Sequence, residues 1–119
     1  MGQPVIEKTL YKVRVVEKGV VIDITGGLRL GESEQAFRQQ VQELLDSGKR
    51  NIAVNLGAVT FVDSSGIGGM VRAFTSVTRA GGKLFFFAPS KMIRQTLKMV
   101  RLDTVLSLYD DEAAAIAAL

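Results

Sequence analysis

The chain has 119 residues, 15 Lys and Arg against 12 Asp and Glu for a formal charge of +3, and neither cysteine nor histidine. That length suits one domain that buries its core without staples, and the missing residue types exclude disulfides, thiolate nucleophiles, zinc-thiolate sites and histidine acid–base chemistry. The mild basic excess fits a domain with an acidic protein partner better than a dedicated nucleic-acid binder, which needs a denser basic face.

The opening MGQPVIEKTL carries no export-signal pattern, and Ile6 stands where N-myristoylation needs Ser or Thr. No apolar run approaches the roughly 20 residues of a membrane span. The expectation is a cytoplasmic protein with no membrane or direct nucleic-acid partner, a single domain over 1–119 with an ordered core over about 5–119.

Alternation and β-branched residues in YKVRVVEKGVVIDITG predict two antiparallel strands, Tyr11 to Val16 and Val20 to Thr25, turned by Glu17, Lys18 and Gly19. Gly26, Gly27 and Gly31 then mark a loop, and Ser33 is placed to cap a helix with Phe37, Val41, Leu44 and Leu45 on one face, ended by Gly48. The short apolar run Ile52 to Leu56, bounded by Lys49, Arg50 and Gly57, reads as a buried strand.

A second helix follows with the stripe Ile67, Met70, Val71, Phe74 and Val77, closed by Ala80 to Gly82. The unbroken KLFFF predicts a strand covered on both faces, stopped by Pro89. Its phenylalanines Phe85, Phe86 and Phe87 are assigned to the core, with at least one facing a helix on either side. Ser90 caps a third helix with Met92, Ile93, Leu97 and Val100 inward, TVLSLY is a short last strand, and Asp110, Asp111 and Glu112 open an alanine-rich final helix. The order β-β-α-β-α-β-α-β-α predicts an α/β fold, a mixed but mainly parallel sheet of four to five strands with four helices and an antiparallel first strand at its edge.

Candidate chemistry concentrates in VDSSGIG, Val62 to Gly68, between a strand and the second helix. Sheets of this type bind at the carboxyl ends of their strands. Asp63 or Ser64 can cap the helix and the glycines permit a tight turn, while the helix N-terminus would tolerate a phosphate on Ser64 or Ser65. Met70 and Phe74 could be partner contacts there, but their periodicity assigns them to the core. Elsewhere, Lys91, Arg94, Lys98 and Arg101 form a basic stripe on the third helix, read as a solvated outer face or a contact for an acidic protein. Asp23, Asp46, Asp103 and Asp110 are scattered, with no paired-carboxylate or metal-ligand spacing, and GGLRLGE lacks a phosphate-binding lysine. No catalytic residue, metal or cofactor is assigned, and the protein is not read as an enzyme.

From the hairpin through ITGGLRL to the final helix, the chain resembles the STAS domain, and specifically the anti-sigma factor antagonists of bacteria. The likeness is carried by the ordered set of apolar strand, VTFVDSSGIG junction, helix, AGGKL turn and IRQTLKMVRLDTVL segment. The resemblance implies a phosphorylation switch in transcription control. The unphosphorylated antagonist binds an anti-sigma factor that is also a GHKL-type serine kinase and so frees a sigma factor; the kinase phosphorylates the antagonist and a phosphoserine phosphatase resets it. It implies Ser64 as phosphoacceptor and a partner-binding surface of Asp63, Ser64, Ser65, Gly66, Ile67 and Gly68 with Gly27 and Arg29. Where many family members have GELD, this chain has GGLR, Gly26 to Arg29, and a basic Arg29 beside Ser64 would stabilise a phosphoserine or alter partner choice. Homodimerisation or pairing with other STAS proteins stays open. The alternatives are a stressosome-type scaffold and an accessory subunit of a lipid or anion transporter.

Overall fold

The computed structural model describes residues 9–119, with the Glu32 side chain outside the description. The expected start of the ordered core near residue 5 lies outside the described residues. Among the described residues nine elements follow in the expected order: β1 (Leu10–Val16), β2 (Gly19–Leu28), α1 (Glu32–Asp46), β3 (Asn51–Val62), α2 (Ser64–Arg79), β4 (Lys83–Phe87), α3 (Lys91–Met99), β5 (Ser107–Tyr109) and α4 (Glu112–Ala118).

The strands lie in one sheet in chain order, β1-β2-β3-β4-β5. Only β1 is antiparallel to its neighbour, joined through the tight hairpin; the other pairs are parallel. Each right-handed crossover steps the same way along the sheet, so α1, α2 and α3 are carried to one face. There Phe37 and Val41 of α1, Met70 and Val77 of α2 and Ile93 and Leu97 of α3 meet Ile22, Val54 and Phe86. The other face is covered by α4, whose Ala115 joins a smaller core with Val21, Ala53 and Phe87. Phe86 and Phe87 thus point to opposite faces as expected, while Phe85 is half-buried with its ring 5.2 Å from that of Tyr109.

Three strand boundaries, one helix cap and two orientations differ from the sequence expectation. The Gly26–Gly27 segment is strand rather than loop: β2 continues to Leu28, because β3 runs on to Val62 and supplies its partners, Gly27 opposite Phe61 and Leu28 opposite Val62. Gly57 therefore does not end β3. The strand absorbs an extra residue there, since Asp23 pairs with Asn55 but Thr25 with Ala58, and the Gly57 N–H donates to Asn55 Oδ1 at 2.8 Å. A second shift between Gly26 and Gly27 makes two bulges, a device that bends and twists a strand. The last strand is confined to Ser107–Tyr109, with Thr104 and Val105 in a turn.

Ser33 is not the α1 cap. Gly31 holds that position at φ 98 with no side-chain bond, and the Ser33 hydroxyl turns back to accept from the Arg29 N–H at 2.8 Å and donate to its carbonyl. Met92 and Val100 point outward, not inward: Leu102 and the fully buried Leu106, in the turn after α3, fill the space beneath that helix. Ser90 does cap α3, accepting from the Ile93 N–H at 3.1 Å, and of the three acidic residues expected at the start of α4 it is Asp111 that caps, accepting from the Ala114 N–H at 2.8 Å.

Candidate functional site

β3 outruns β4. Its pairing with β4 ends at Asn55, while its pairing with β2 continues to Val62. The junction into α2 and the loop from β2 into α1 consequently project together at the carboxyl end of the sheet, where α/β folds place their binding sites.

Asp63 organises this ledge. Its backbone is extended, and its N–H donates to the Leu28 carbonyl at 3.1 Å, closing β2 onto β3. One carboxylate oxygen accepts from the Gly66 N–H at 2.8 Å and caps α2; the other accepts from the Leu30 N–H at 3.0 Å and ties down the neighbouring loop. Burial pushes this carboxyl up, but the backbone N–H groups of Leu30, Gly66 and Ser65, with the Arg29 charge nearby, outweigh it and hold the group below the usual carboxylate range. Asp63, not Ser64, is thus the cap.

Ser64 opens α2 as an exposed residue and Ser65 beside it is half-buried. Gly66 is buried, and its role is packing: a Cβ there would lie 2.3 Å from the Leu28 carbonyl oxygen, so only glycine lets α2 approach the end of β2. Gly69 is similar, with a Cβ position 2.9 Å from Glu34. Ile67 packs against the main core and Met70 lies fully within it, while Phe74 is half-buried. Gly68 is half-buried next to Arg72, and Gly27 is buried within β2. Of the expected docking residues, Ser64 and Arg29 are the exposed ones.

The Arg29 guanidinium lies over the Phe61 ring, 4.8 Å from its centroid. Sequence reasoning missed Phe61 and Leu30, both exposed and large, and both on the ledge. Phe61 is hidden because the apolar pattern predicts a strand that ends at Leu56; Leu30 because its importance lies in a backbone N–H. Also missed was Glu34, a buried carboxylate under α2 held by Arg38 at 2.5 Å and Arg72 at 2.7 Å. Burial raises its pKa, but the two guanidiniums outweigh that and keep it below the ordinary range. The i, i+4 spacing of Glu34 and Arg38 was legible in the sequence; the contact with Arg72 was not. The basic stripe Lys91, Arg94, Lys98 and Arg101 is exposed and lies on α3 and its end, away from the ledge.

Among the described residues no cluster of three His, Cys, Asp or Glu side chains could hold a metal, and no helix is long and apolar enough to cross a membrane. The arrangement is a ledge that leaves Ser64 exposed at the start of α2, on an α/β domain with three helices on one face and one on the other. A sequence profile of the STAS domain matches residues 10–115, and the chain belongs to that family. It is 26% identical over 108 residues to a Thermotoga neapolitana protein named as a candidate anti-sigma factor antagonist, covering 90% of this chain and 95% of that one. Its fold matches the crystal structure of a Thermotoga maritima protein of the same designation with a TM-score of 0.84 at 24% identity, over 91% of this chain and 92% of that one. It also matches the Bacillus cell fate determinant SpoIIAA, an anti-sigma factor antagonist, in its phosphorylated form with a TM-score of 0.70 at 20% identity, over 92% of this chain and all of that one.

Proposed function

We propose that this protein is an anti-sigma factor antagonist whose unphosphorylated form binds an anti-sigma factor serine kinase of the GHKL type, releasing a sigma factor, and that phosphorylation of Ser64 switches it off. It is a binding module, not an enzyme. The observation that carries this reading is the division of labour at the ledge: Asp63 caps α2, which leaves the neighbouring Ser64 hydroxyl exposed. The names of the Thermotoga relatives and the existence of a phosphorylated form of SpoIIAA support it.

A phosphate on Ser64 would add about −1.5 to −2 charges at a helix N-terminus, where anions are favoured, so the domain tolerates it. A partner surface complementary to the unmodified ledge would not, and a loss of about 3 kcal/mol weakens binding roughly a hundredfold. Arg29 is the basic group beside this site, and drawing it from Phe61 toward the phosphate would bare that ring only in the modified state. A phosphoserine phosphatase closes the cycle.

The test is to immobilise wild-type, Ser64→Ala and Ser64→Asp proteins and expose each to a lysate of the source cells with ATP. Captured proteins and phosphopeptides are identified by mass spectrometry. The switch predicts a GHKL-type kinase on the first two and not the third, with phosphate on Ser64. Equal capture of the same partners by all three, or phosphate elsewhere only, would overturn it.

A further inference from the structure

α3 attaches to the core through two residues, Ile93 and Leu97, at 2% and 1% exposure. Its outer side carries exposed methionines among basic residues: Met99 is 84% exposed and Met92 55%, and half-exposed Val100 and Val105 extend the ridge into the following turn. Half of the large exposed hydrophobics among the described residues lie in this one segment, while isolated ones elsewhere need no explanation. Lys91, Arg94, Lys98 and Arg101 flank the ridge, and among the described residues only Arg94 has an ion-pair partner, Asp110 at 2.8 Å.

The end of the helix adds an independent observation. Arg101 has φ 60, the left-handed position that normally belongs to glycine, and the Leu102 N–H reaches back to the Leu97 carbonyl at 2.8 Å to close the helix. Glycine would fit without strain. The chain instead places a cation there, next to the exposed Val100 and Met99.

We infer that the outer surface of α3 and its following turn is a second docking surface, for an acidic amphipathic helix of another protein. Exposed methionines make an adaptable apolar seat, and an unpaired basic flank selects negative charge and rejects basic partners. A lipid surface fits less well. The strongest apolar residues of α3 are spent on the core, and no aromatic residue anchors the ridge. α3 begins at the carboxyl end of β4 and runs back, so Met99 and Val105 lie toward the opposite end of the sheet from Ser64. Met92, at the start of α3, lies at the Ser64 end of the sheet, but binding centred on Met99 and Val105 is insensitive to the state of Ser64, and would let the protein hold one partner while exchanging another.

The probe is a labelled synthetic helix with leucines on one face and glutamates on the other, compared with its glutamine counterpart by fluorescence anisotropy on the full chain. The acidic peptide should bind at least about tenfold more tightly than the glutamine peptide. Affinity should fall about tenfold in a Met92→Ser, Met99→Ser double variant and be unchanged in Ser64→Asp. Both methionines are exposed, so the double variant keeps its fold, which circular dichroism checks. Arg101→Gly should raise Tm while weakening the acidic peptide about threefold. Equal binding of both peptides, no binding, or binding indifferent to the methionines would overturn the inference. So would binding to phosphatidylglycerol vesicles without peptide binding, or self-association abolished by Met99→Ser, which would assign the surface to a membrane or a second copy.

Discussion

The starts of α1 and α2 lie side by side on the ledge and are held by opposite means. α2 is capped locally, by the residue that precedes it. α1 has a bare glycine at its cap and is fixed from outside: Asp63 accepts from Leu30, and the Tyr11 hydroxyl donates to the Ser33 carbonyl. One carboxylate thus serves two helices, and the loop that carries Arg29 and Leu30 depends on a residue over thirty positions away in sequence. A local cap can be read from three or four residues; a borrowed one cannot.

The largest effect should come from forcing the start of α2 off the end of β2. Gly66→Ala would set a Cβ 2.3 Å from the Leu28 carbonyl, and overpacking against backbone at such a distance should cost about 3 kcal/mol, read as a lower urea midpoint. If the midpoint does not move, α2 does not need its close approach to β2.

Asp63→Ala removes both anchors and should cost about 2 kcal/mol, whereas Ser33→Ala, which caps nothing, should cost about 0.5 kcal/mol or less. Hydrogen exchange sharpens the contrast. The Leu30 and Gly66 amides should lose protection together in Asp63→Ala and keep it in Ser33→Ala.

The comparison has a pH signature. The Asp63 carboxyl is held below its ordinary value in the folded protein, so its contribution to stability is complete above the unfolded value of about 3.9 and is lost as pH falls below that toward the folded value. Glu34 is lowered in the same sense. Wild-type stability should therefore drop with acid below about pH 4, and Asp63→Asn should show a shallower drop. Equal slopes would mean that Asp63 is not held in its charged form by the fold.

The smallest effect belongs to the residue of greatest functional interest. Ser64 is exposed and its neighbour does the capping, so Ser64→Ala should change stability by less than about 0.5 kcal/mol. A larger loss would make Ser64 part of the helix start and weaken its assignment as a free phosphoacceptor.

The sequence by itself determined the order of elements, the buried face of each long helix, the placing of phenylalanines of β4 on both faces of the sheet, the cap at Ser90 and the acidic start of α4. Those follow from periodicity and from side chains bonding to backbone a few residues away. It also located the junction that bears Asp63 and Ser64, through a motif compact enough to be continuous in the chain. Only the tertiary structure decided that β2 and β3 extend through glycines to build the ledge, since strand pairing rewards a glycine that propensity alone would reject. It alone placed Leu30 on Asp63, Arg29 over Phe61 and Arg72 on Glu34, contacts between segments whose separation no local pattern encodes. And it turned Met92 and Val100 outward, because Leu102 and Leu106 had already taken the room beneath α3.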